Sequence, residues 1–135
     1  MIDIGVVYYR IKPGENVINA TWYTSRQNKK QLGTGVAKGD TSNGFPGNYV
    51  ITYFNADGGE TGTYDLEIEK TGDIYDLSYR KDGELLFVGV GIETSDGMAA
   101  GWRKTETGIK QEGFGVRILE KLCFRVIKSS QLTRN

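Results

Sequence analysis

The sequence has no histidine, one cysteine and two prolines in 135 residues, and its 17 Lys and Arg balance its 17 Asp and Glu. Without histidine, Ser-His-Asp and Cys-His catalytic units and histidine-ligated zinc are excluded. The single cysteine, Cys123, cannot form an internal disulfide, so nothing points to an oxidising compartment. Balanced charge provides no overall field that would attract nucleic acid or an anionic membrane. We therefore expect neither as a partner.

Long apolar runs are also missing. No segment approaches the ~20 residues that a membrane-spanning helix needs. The first 11 residues have no basic region and carry Asp3 and Arg10 within their apolar run, which is unlike a signal peptide. A cytoplasmic protein is the default expectation, and a secreted mature form is the alternative. The length fits one domain.

Glycine, in contrast, is abundant: it supplies 19 of the 135 residues, about twice the usual share of about 7%. Short runs of β-branched and aromatic residues are separated by turn sequences such as Asp82-Gly83, whereas helical periodicity is nearly absent. The predicted strands are residues 5–12, 16–25, 31–38, 48–55, 61–70, 73–81, 84–93 and 97–104. Further strands are predicted at 113–121 and 122–128, and for 117–128 the pattern leaves helix and strand both open. Strands at this spacing predict an antiparallel β-sandwich or closed barrel.

The sequence also contains an internal repeat, with copies at about 5–40 and 62–96. A shift of 57 residues aligns Gly5 with Gly62, Ile11 with Ile68 and Trp22 with Tyr79. A shift of 56 residues aligns Gly33 with Gly89 and Gly35 with Gly91. Repetition at this period favours a pseudo-symmetric barrel in which each half supplies about four strands.

Alternation along the strands predicts the inward face, which is the same in both copies. In the first copy the inward residues are Val7, Tyr9 and Ile11, then Ile18, Ala20 and Trp22, then Leu32, Thr34 and Val36. In the second copy they are Tyr64, Leu66 and Ile68, then Tyr75, Leu77 and Tyr79, then Val88, Val90 and Ile92. The intervening positions are mostly polar and are expected to face outward.

Several turn and core motifs resemble a recurrent unit of uncharacterised bacterial β-barrel proteins. They are Gly47-Asn48-Tyr49, Asn55-Ala56-Asp57-Gly58, Lys70-Thr71-Gly72-Asp73-Ile74-Tyr75-Asp76-Leu77-Ser78-Tyr79 and Gly89-Val90-Gly91-Ile92, with Gly5-Val6-Val7-Tyr8-Tyr9 as the flanking unit. The resemblance implies a calycin-like fold and no assigned activity. The combined prediction is one all-β domain over residues 1–128, an antiparallel closed barrel of about eight strands with a two-fold internal repeat, followed by a frayed tail at 129–135.

A second likeness is to avidins. Thr21-Trp22-Tyr23 looks like the first-strand motif of that family, and Asp57-Gly58 with Thr61-Gly62-Thr63-Tyr64 looks like its strand 2–3 hairpin. The two motifs lie about forty residues apart here, and only Trp22 and Trp102 are available where avidins cluster tryptophans around biotin. The likeness therefore implies the barrel and not the biotin site.

Inward aromatic residues are the candidate ligand-binding residues, because an eight-stranded barrel is just wide enough for one small ligand. They are Trp22, Tyr9, Tyr64, Tyr75 and Tyr79. The same rings could instead fill the barrel as core. The sequence thus supports two hypotheses: a barrel that binds a small apolar or aromatic molecule, or a structural or interaction domain with a filled barrel, which could form homo-oligomers.

Motifs for catalysis or cofactors do not emerge. Gly33-Thr34-Gly35 lies within a predicted strand and lacks the following helix that a nucleotide loop needs. The segment from Asn55 has Leu66 where a calcium loop needs a bidentate acid. Most carboxylates fall in turns or on the outward face, and no catalytic pair stands out. We expect no catalytic residue, no metal site, no cofactor and no enzymatic activity.

Overall fold

A computed structural model describes residues 4–27 and 30–105, all of which are strands, turns or loops. The eight strands are β1 (Ile4–Lys12), β2 (Val17–Thr24), β3 (Gly33–Gly39), β4 (Gly47–Phe54), β5 (Glu60–Thr71), β6 (Ile74–Lys81), β7 (Glu84–Glu93) and β8 (Met98–Lys104). Each matches a predicted strand to within two residues at either end. The strands predicted at 113–121 and 122–128 and the tail at 129–135 lie outside the described residues.

The strands form a closed antiparallel barrel. Each strand pairs with the next along the chain, and β8 returns to pair with β1 through Val6 opposite Gly101. Some connections are tight hairpins: in the β6–β7 turn, Asp82 and Gly83 have φ of 52° and 82°, the left-handed conformation that such a turn requires at both central positions. Within the described ranges, no helix is long and apolar enough to cross a membrane.

The barrel core follows the predicted alternation on β1, β2, β5 and β6. The largest fully buried side chains are Tyr9, Ile18, Ile51, Leu66, Ile68, Leu77 and Met98. Their neighbours in sequence on these strands are mostly exposed or half-buried, as period-two geometry requires. The burial of these side chains is the main apolar contribution to folding, at roughly 1.5–3 kcal/mol for each aliphatic side chain.

The predicted inward faces of β3 and β7 are wrong. Leu32, Val90 and Ile92 are 61%, 59% and 58% exposed, and Thr34 also faces outward. Glycines and Ala37 face inward on these strands instead, because large side chains from neighbouring strands already occupy the interior there. A Cβ at Gly91 would collide with the Met98 sulfur, and one at Gly33 with the Trp22 ring. The same correction moves Val36 and Val88 to the outer face.

One end of the barrel is closed by the β3–β4 loop. Phe45 in this loop is buried and meets Tyr75 edge-on, with ring centroids 5.8 Å apart and planes at 72°. The Tyr49 hydroxyl donates to the Phe45 carbonyl at 2.9 Å, which holds the loop over the interior. The space inside the barrel therefore lies toward the opposite end, where β2, β4, β6 and β8 finish.

Candidate functional site

A cavity of about 360 Å³ occupies the end of the barrel opposite Phe45. It is bounded by residues at or just beyond the ends of β2, β4 and β8, including Arg26, Asn55 and Lys104. Arg26 and Lys104 are exposed, so the cavity reaches the surface at this end. Its volume is at the lower end of the range of roughly 300–1,000 Å³ for small-molecule sites. We call this the cavity end.

The cavity wall is a belt of aromatic rings, one from each of six strands. The six are Trp22, Tyr53, Tyr64, Tyr79, Phe87 and Trp102. Phe87 meets Trp102 edge-on with centroids 5.2 Å apart, and it meets Tyr64 edge-on at 5.5 Å. Trp22 and Tyr53 pack edge-on at 5.7 Å. Such contacts hold each ring in a defined orientation, and the belt is therefore a fixed apolar surface.

Glycines on the neighbouring strands make room for these rings. Tyr53 lies between Gly35 on β3 and Gly62 on β5 in the strand register. Trp102 likewise lies between two glycines, on β7 and β1. A Cβ at Gly35 would come within 2.9 Å of the Tyr53 ring. The absence of side chains beside the largest rings lets those rings lie along the wall and leaves the centre open.

Three tyrosine hydroxyls form the floor of the cavity. The Tyr9 hydroxyl hydrogen-bonds those of Tyr53 at 2.8 Å and Tyr79 at 2.6 Å. Burial is the main cause that raises the pKa of Tyr79 to about 12 and the pKa values of Tyr9 and Tyr53 well above their usual range. The three groups are consequently neutral at physiological pH and form a rigid polar base beneath the rings.

The rim of the cavity is polar and carries positive charge. Thr24, Arg26, Gln27, Asn55, Thr61 and Lys104 complete the lining within residues 4–27 and 30–105, and none of the lining residues in these ranges is acidic. Lys81 lies at the same end, with its Nζ 5.6 Å from the centroid of the Tyr64 ring. The site thus combines an aromatic interior with a cationic mouth.

The two tryptophans differ in how their N–H groups are satisfied. Trp22 Nε1 donates to the carbonyls of Thr34 at 2.8 Å and Phe54 at 3.1 Å, which ties β2 to β3 and β4. Trp102 Nε1 is buried and has no hydrogen-bond partner in the described part of the chain. An unsatisfied buried donor costs about 1–3 kcal/mol, so any favourable contribution of Trp102 comes from the packing of its ring against Phe87.

The structure separates the five predicted site residues. Trp22, Tyr64 and Tyr79 line the cavity together. Tyr9 lies beneath it and contacts it only through the hydroxyl cluster. Tyr75 does not belong to the site: it packs against Phe45 at the closed end, and its hydroxyl donates to Glu93 at 3.0 Å.

Sequence reasoning missed three of the wall rings. Tyr53 and Trp102 could have been found from alternation, since Tyr49, Ile51 and Tyr53 share one face of β4, and Trp102 shares a face of β8 with buried Ala100. Phe87 could not be predicted to face inward, because the more apolar residues of β7, such as Val90 and Ile92, lie on the other face of the strand. No local pattern marked Arg26 or Lys104, because their role depends on which strand ends meet at the mouth.

The lining residues offer binding groups and no recognisable catalytic set. No group of three or more metal-ligating side chains exists among residues 4–27 and 30–105. The lining residues that the structure describes include no carboxylate, and hydrolytic chemistry of the glycosidase type uses a pair of them. Comparisons with protein-family models, curated proteins and solved structures gave no match to this chain.

Proposed function

We propose that the protein is a non-catalytic barrel that binds a small aromatic or apolar molecule in the cavity. The observation that carries this proposal is the belt of six rings around about 360 Å³ of unfilled space. A barrel whose role is purely structural would be more stable with that space filled by side chains, since each missing contact in a core lowers the free energy of unfolding. The polar rim provides groups that would orient a bound molecule.

Intrinsic fluorescence provides a direct test, because Trp22 and Trp102 are the only tryptophans in the chain and both line the cavity. We expect saturable changes in emission on titration with one- and two-ring compounds such as indole or 2-naphthol. Tyr64→Ala should weaken that binding about threefold to tenfold, the value of an aromatic contact. Tyr23→Ala, on the outer face of β2, is the matched control. An unchanged emission spectrum and an unchanged Tm with every compound at millimolar concentration would overturn the proposal.

We also propose that the barrel is calycin-like and descends from a repeat with copies at about 5–40 and 62–96. The pattern of rings and glycines supports the repeat. Gly62, beside Tyr53, and Gly5, beside Trp102, are equivalent at the 57-residue shift. Both copies thus use an inward glycine at the same position to accommodate a ring from the preceding strand around the barrel.

An interaction domain is the second candidate, and an apolar patch on the outer wall favours it. Val6 on β1 and Val90 on β7 flank Gly101 of β8, and their exposed fractions are 55% and 59%. Ile4 and Ile92 extend the patch and are 59% and 58% exposed. Ala99 and Gly101 lie along the middle of this face, and Arg103 is opposite Ile4 at its end. A second copy of the chain could pack its own apolar patch against these small residues in a two-fold interface.

The oligomeric state tests this second candidate. Sedimentation equilibrium across micromolar concentrations should show a dimer that Val90→Lys converts to a monomer, while Val50→Lys on the far side of the barrel leaves the dimer intact. If the wild-type protein stays monomeric at the highest concentration, a second copy of the chain is not the partner that covers the apolar patch. Ligand titration of the same samples remains informative about the cavity, since the patch lies outside the barrel.

A further inference from the structure

Resting on the proposed binding function, we infer that the cavity selects neutral aromatic ketones and aldehydes, whose carbonyl oxygen accepts a hydrogen bond from the tyrosine hydroxyls at the floor. The aromatic belt holds the ring of such a molecule. The floor decides which polar group the ring carries, because its hydroxyls offer a hydrogen-bond donor beneath the belt.

The floor has more hydroxyl protons than internal hydrogen bonds. The Tyr9 hydroxyl is the centre of the cluster, because it hydrogen-bonds both the Tyr53 and the Tyr79 hydroxyls. Each hydroxyl has one proton to donate and two lone pairs with which to accept. The two contacts therefore use two of the three protons, and one proton is left for a partner outside the cluster.

The remaining proton belongs to a residue that lines the cavity. Tyr53 and Tyr79 line it, and Tyr9 lies beneath. If Tyr53 donates to Tyr9 and Tyr9 to Tyr79, the Tyr79 hydroxyl holds the proton, and in the reverse direction the Tyr53 hydroxyl holds it. Donation by both to Tyr9 would leave the proton on a fully buried group, which is costly. In either chain the hydrogen bonds behind the outer hydroxyl strengthen it as a donor.

A carbonyl oxygen is the ligand group that this donor favours. Buried donors without a partner are rarer in proteins than acceptors with a spare lone pair, so the proton is the part of the floor that most needs a partner. A hydrocarbon that reached the floor would displace water from the donor and replace none of its hydrogen bonds, whereas a carbonyl oxygen would replace them. Of two ligands with the same shape, the floor therefore favours the one that accepts a hydrogen bond.

Burial at the floor also favours a neutral acceptor. Burial raises the pKa of Tyr79 to about 12 and the pKa values of Tyr9 and Tyr53 well above their usual range, because a phenolate would be poorly solvated there. A ligand carboxylate would lose its hydration at the same place. A ketone or an aldehyde needs no counter-charge, and it meets hydroxyls that keep their protons at physiological pH.

Two ligands of one shape test the inference by isothermal titration calorimetry: acetophenone, and α-methylstyrene, in which a methylene group replaces the carbonyl oxygen. The ratio of their two affinities is compared between variant and wild type, so that their different hydration in water cancels. The double variant Tyr53→Phe and Tyr79→Phe removes both hydroxyls of the cluster that belong to cavity-lining residues. It should lower the preference for acetophenone about threefold to tenfold, the value of one hydrogen bond. Benzoate should bind the wild type more weakly than acetophenone.

Two single variants are the controls, and circular dichroism verifies that each variant is folded. Tyr64→Phe removes the hydroxyl of a wall residue outside the cluster and should leave the preference unchanged. Tyr9→Phe frees the Tyr53 and Tyr79 hydroxyls from their shared partner, so the preference should persist or increase. A fall in Tyr9→Phe as large as that in the double variant would show that packing of the cluster, and not donation to the ligand, sets the preference, and the inference would be wrong.

Infrared spectroscopy of the wild-type protein tests the same hydrogen bond and decides the matter if the double variant does not fold. With acetophenone labelled isotopically at the carbonyl carbon, the bound carbonyl stretch should lie at lower wavenumber than in hexane. A stretch equal to that in hexane, or a preference unchanged in the double variant, would overturn the inference and leave the binding function standing. Tighter binding of benzoate than of acetophenone would overturn the choice of a neutral group. If neither acetophenone nor α-methylstyrene binds, the inference and the proposed function fail together.

Discussion

The indole ring of Trp102 occupies the space that a side chain at position 5 would need. Gly5 on β1 is opposite Trp102 on β8 in the strand register, and a Cβ built at Gly5 would fall on the ring. On the other side of Gly5, Thr24 is its partner on β2. The missing side chain therefore lets the tryptophan lie flat along the wall toward Thr24, and it keeps the cavity open.

Gly5→Ala should destabilise the protein by about 1–3 kcal/mol, the usual cost of forcing an extra group into a packed interior. The displaced indole would also move toward the cavity and weaken the binding of naphthalene compounds. Urea unfolding measures the first effect and calorimetry the second. Gly101→Ala is the control on the paired strand: its Cβ would meet only the Gly5 carbonyl oxygen at 3.9 Å. A Gly101→Ala variant as unstable as Gly5→Ala would contradict this explanation.

Leu77→Ala and Val90→Ala test the observed orientations of adjacent strands. Leu77 is fully buried, and its truncation should cost about 2–5 kcal/mol, as large-to-small changes in cores do. Val90 faces outward on β7, so its truncation should change stability by no more than about 0.5 kcal/mol. Chemical denaturation of the two variants supplies the comparison. A loss of more than about 2 kcal/mol in Val90→Ala would restore the orientation predicted from sequence.

The strands were predictable because turn residues and period-two alternation are local properties. The inward faces of β1, β2, β5 and β6 followed from the same alternation. On β3 and β7 the rule failed because it assumes that the more apolar face is buried. Inside this barrel, Trp22 and Met98 fill the space beside Gly33 and Gly91, so the apolar side chains of those strands are left outside.

The candidate site was predictable only in part, because closure of the barrel decides which residues from distant strands meet at each end. Trp22 and Tyr79 could be predicted to face inward, but whether a ring lies in the cavity or in the packed half depends on its height along the barrel. Tyr75 precedes Tyr79 by four residues on β6 and therefore lies in the closed half of the barrel. Lys104 and Arg26 come together only because β8 and β2 both pair with β1.

Trp22→Phe should cost more stability than Trp102→Phe, although both replace an indole by a phenyl ring. Trp22 donates to two backbone carbonyls, and its loss leaves both without that donor. The Trp102 N–H has no partner among the residues that the structure describes, so its replacement removes an unfavourable buried donor along with part of the ring. We expect a difference of about 1–2 kcal/mol in the free energy of unfolding, measured in guanidinium chloride. Equal losses would show that the Trp22 hydrogen bonds contribute nothing net.

The buried tyrosine cluster should make stability fall at high pH. Burial raises the pKa of Tyr79 to about 12, whereas an unfolded tyrosine titrates near its ordinary value of about 10. Below about pH 9 both states hold the proton and stability is unaffected; above about pH 10 only the unfolded chain releases it, so stability declines as pH rises toward 12. Each such group contributes a slope of up to about 1.4 kcal/mol per pH unit.

Tyr79→Phe isolates this contribution, because every other tyrosine stays in place. The variant loses the hydrogen bond to Tyr9 and should be less stable at neutral pH. Its stability should nevertheless decline less steeply above about pH 10, since one buried group no longer titrates. Urea denaturation of both proteins at several pH values between about 8 and 11 gives the two curves. Parallel curves would show that Tyr79 gives up its proton as readily in the barrel as in the unfolded chain.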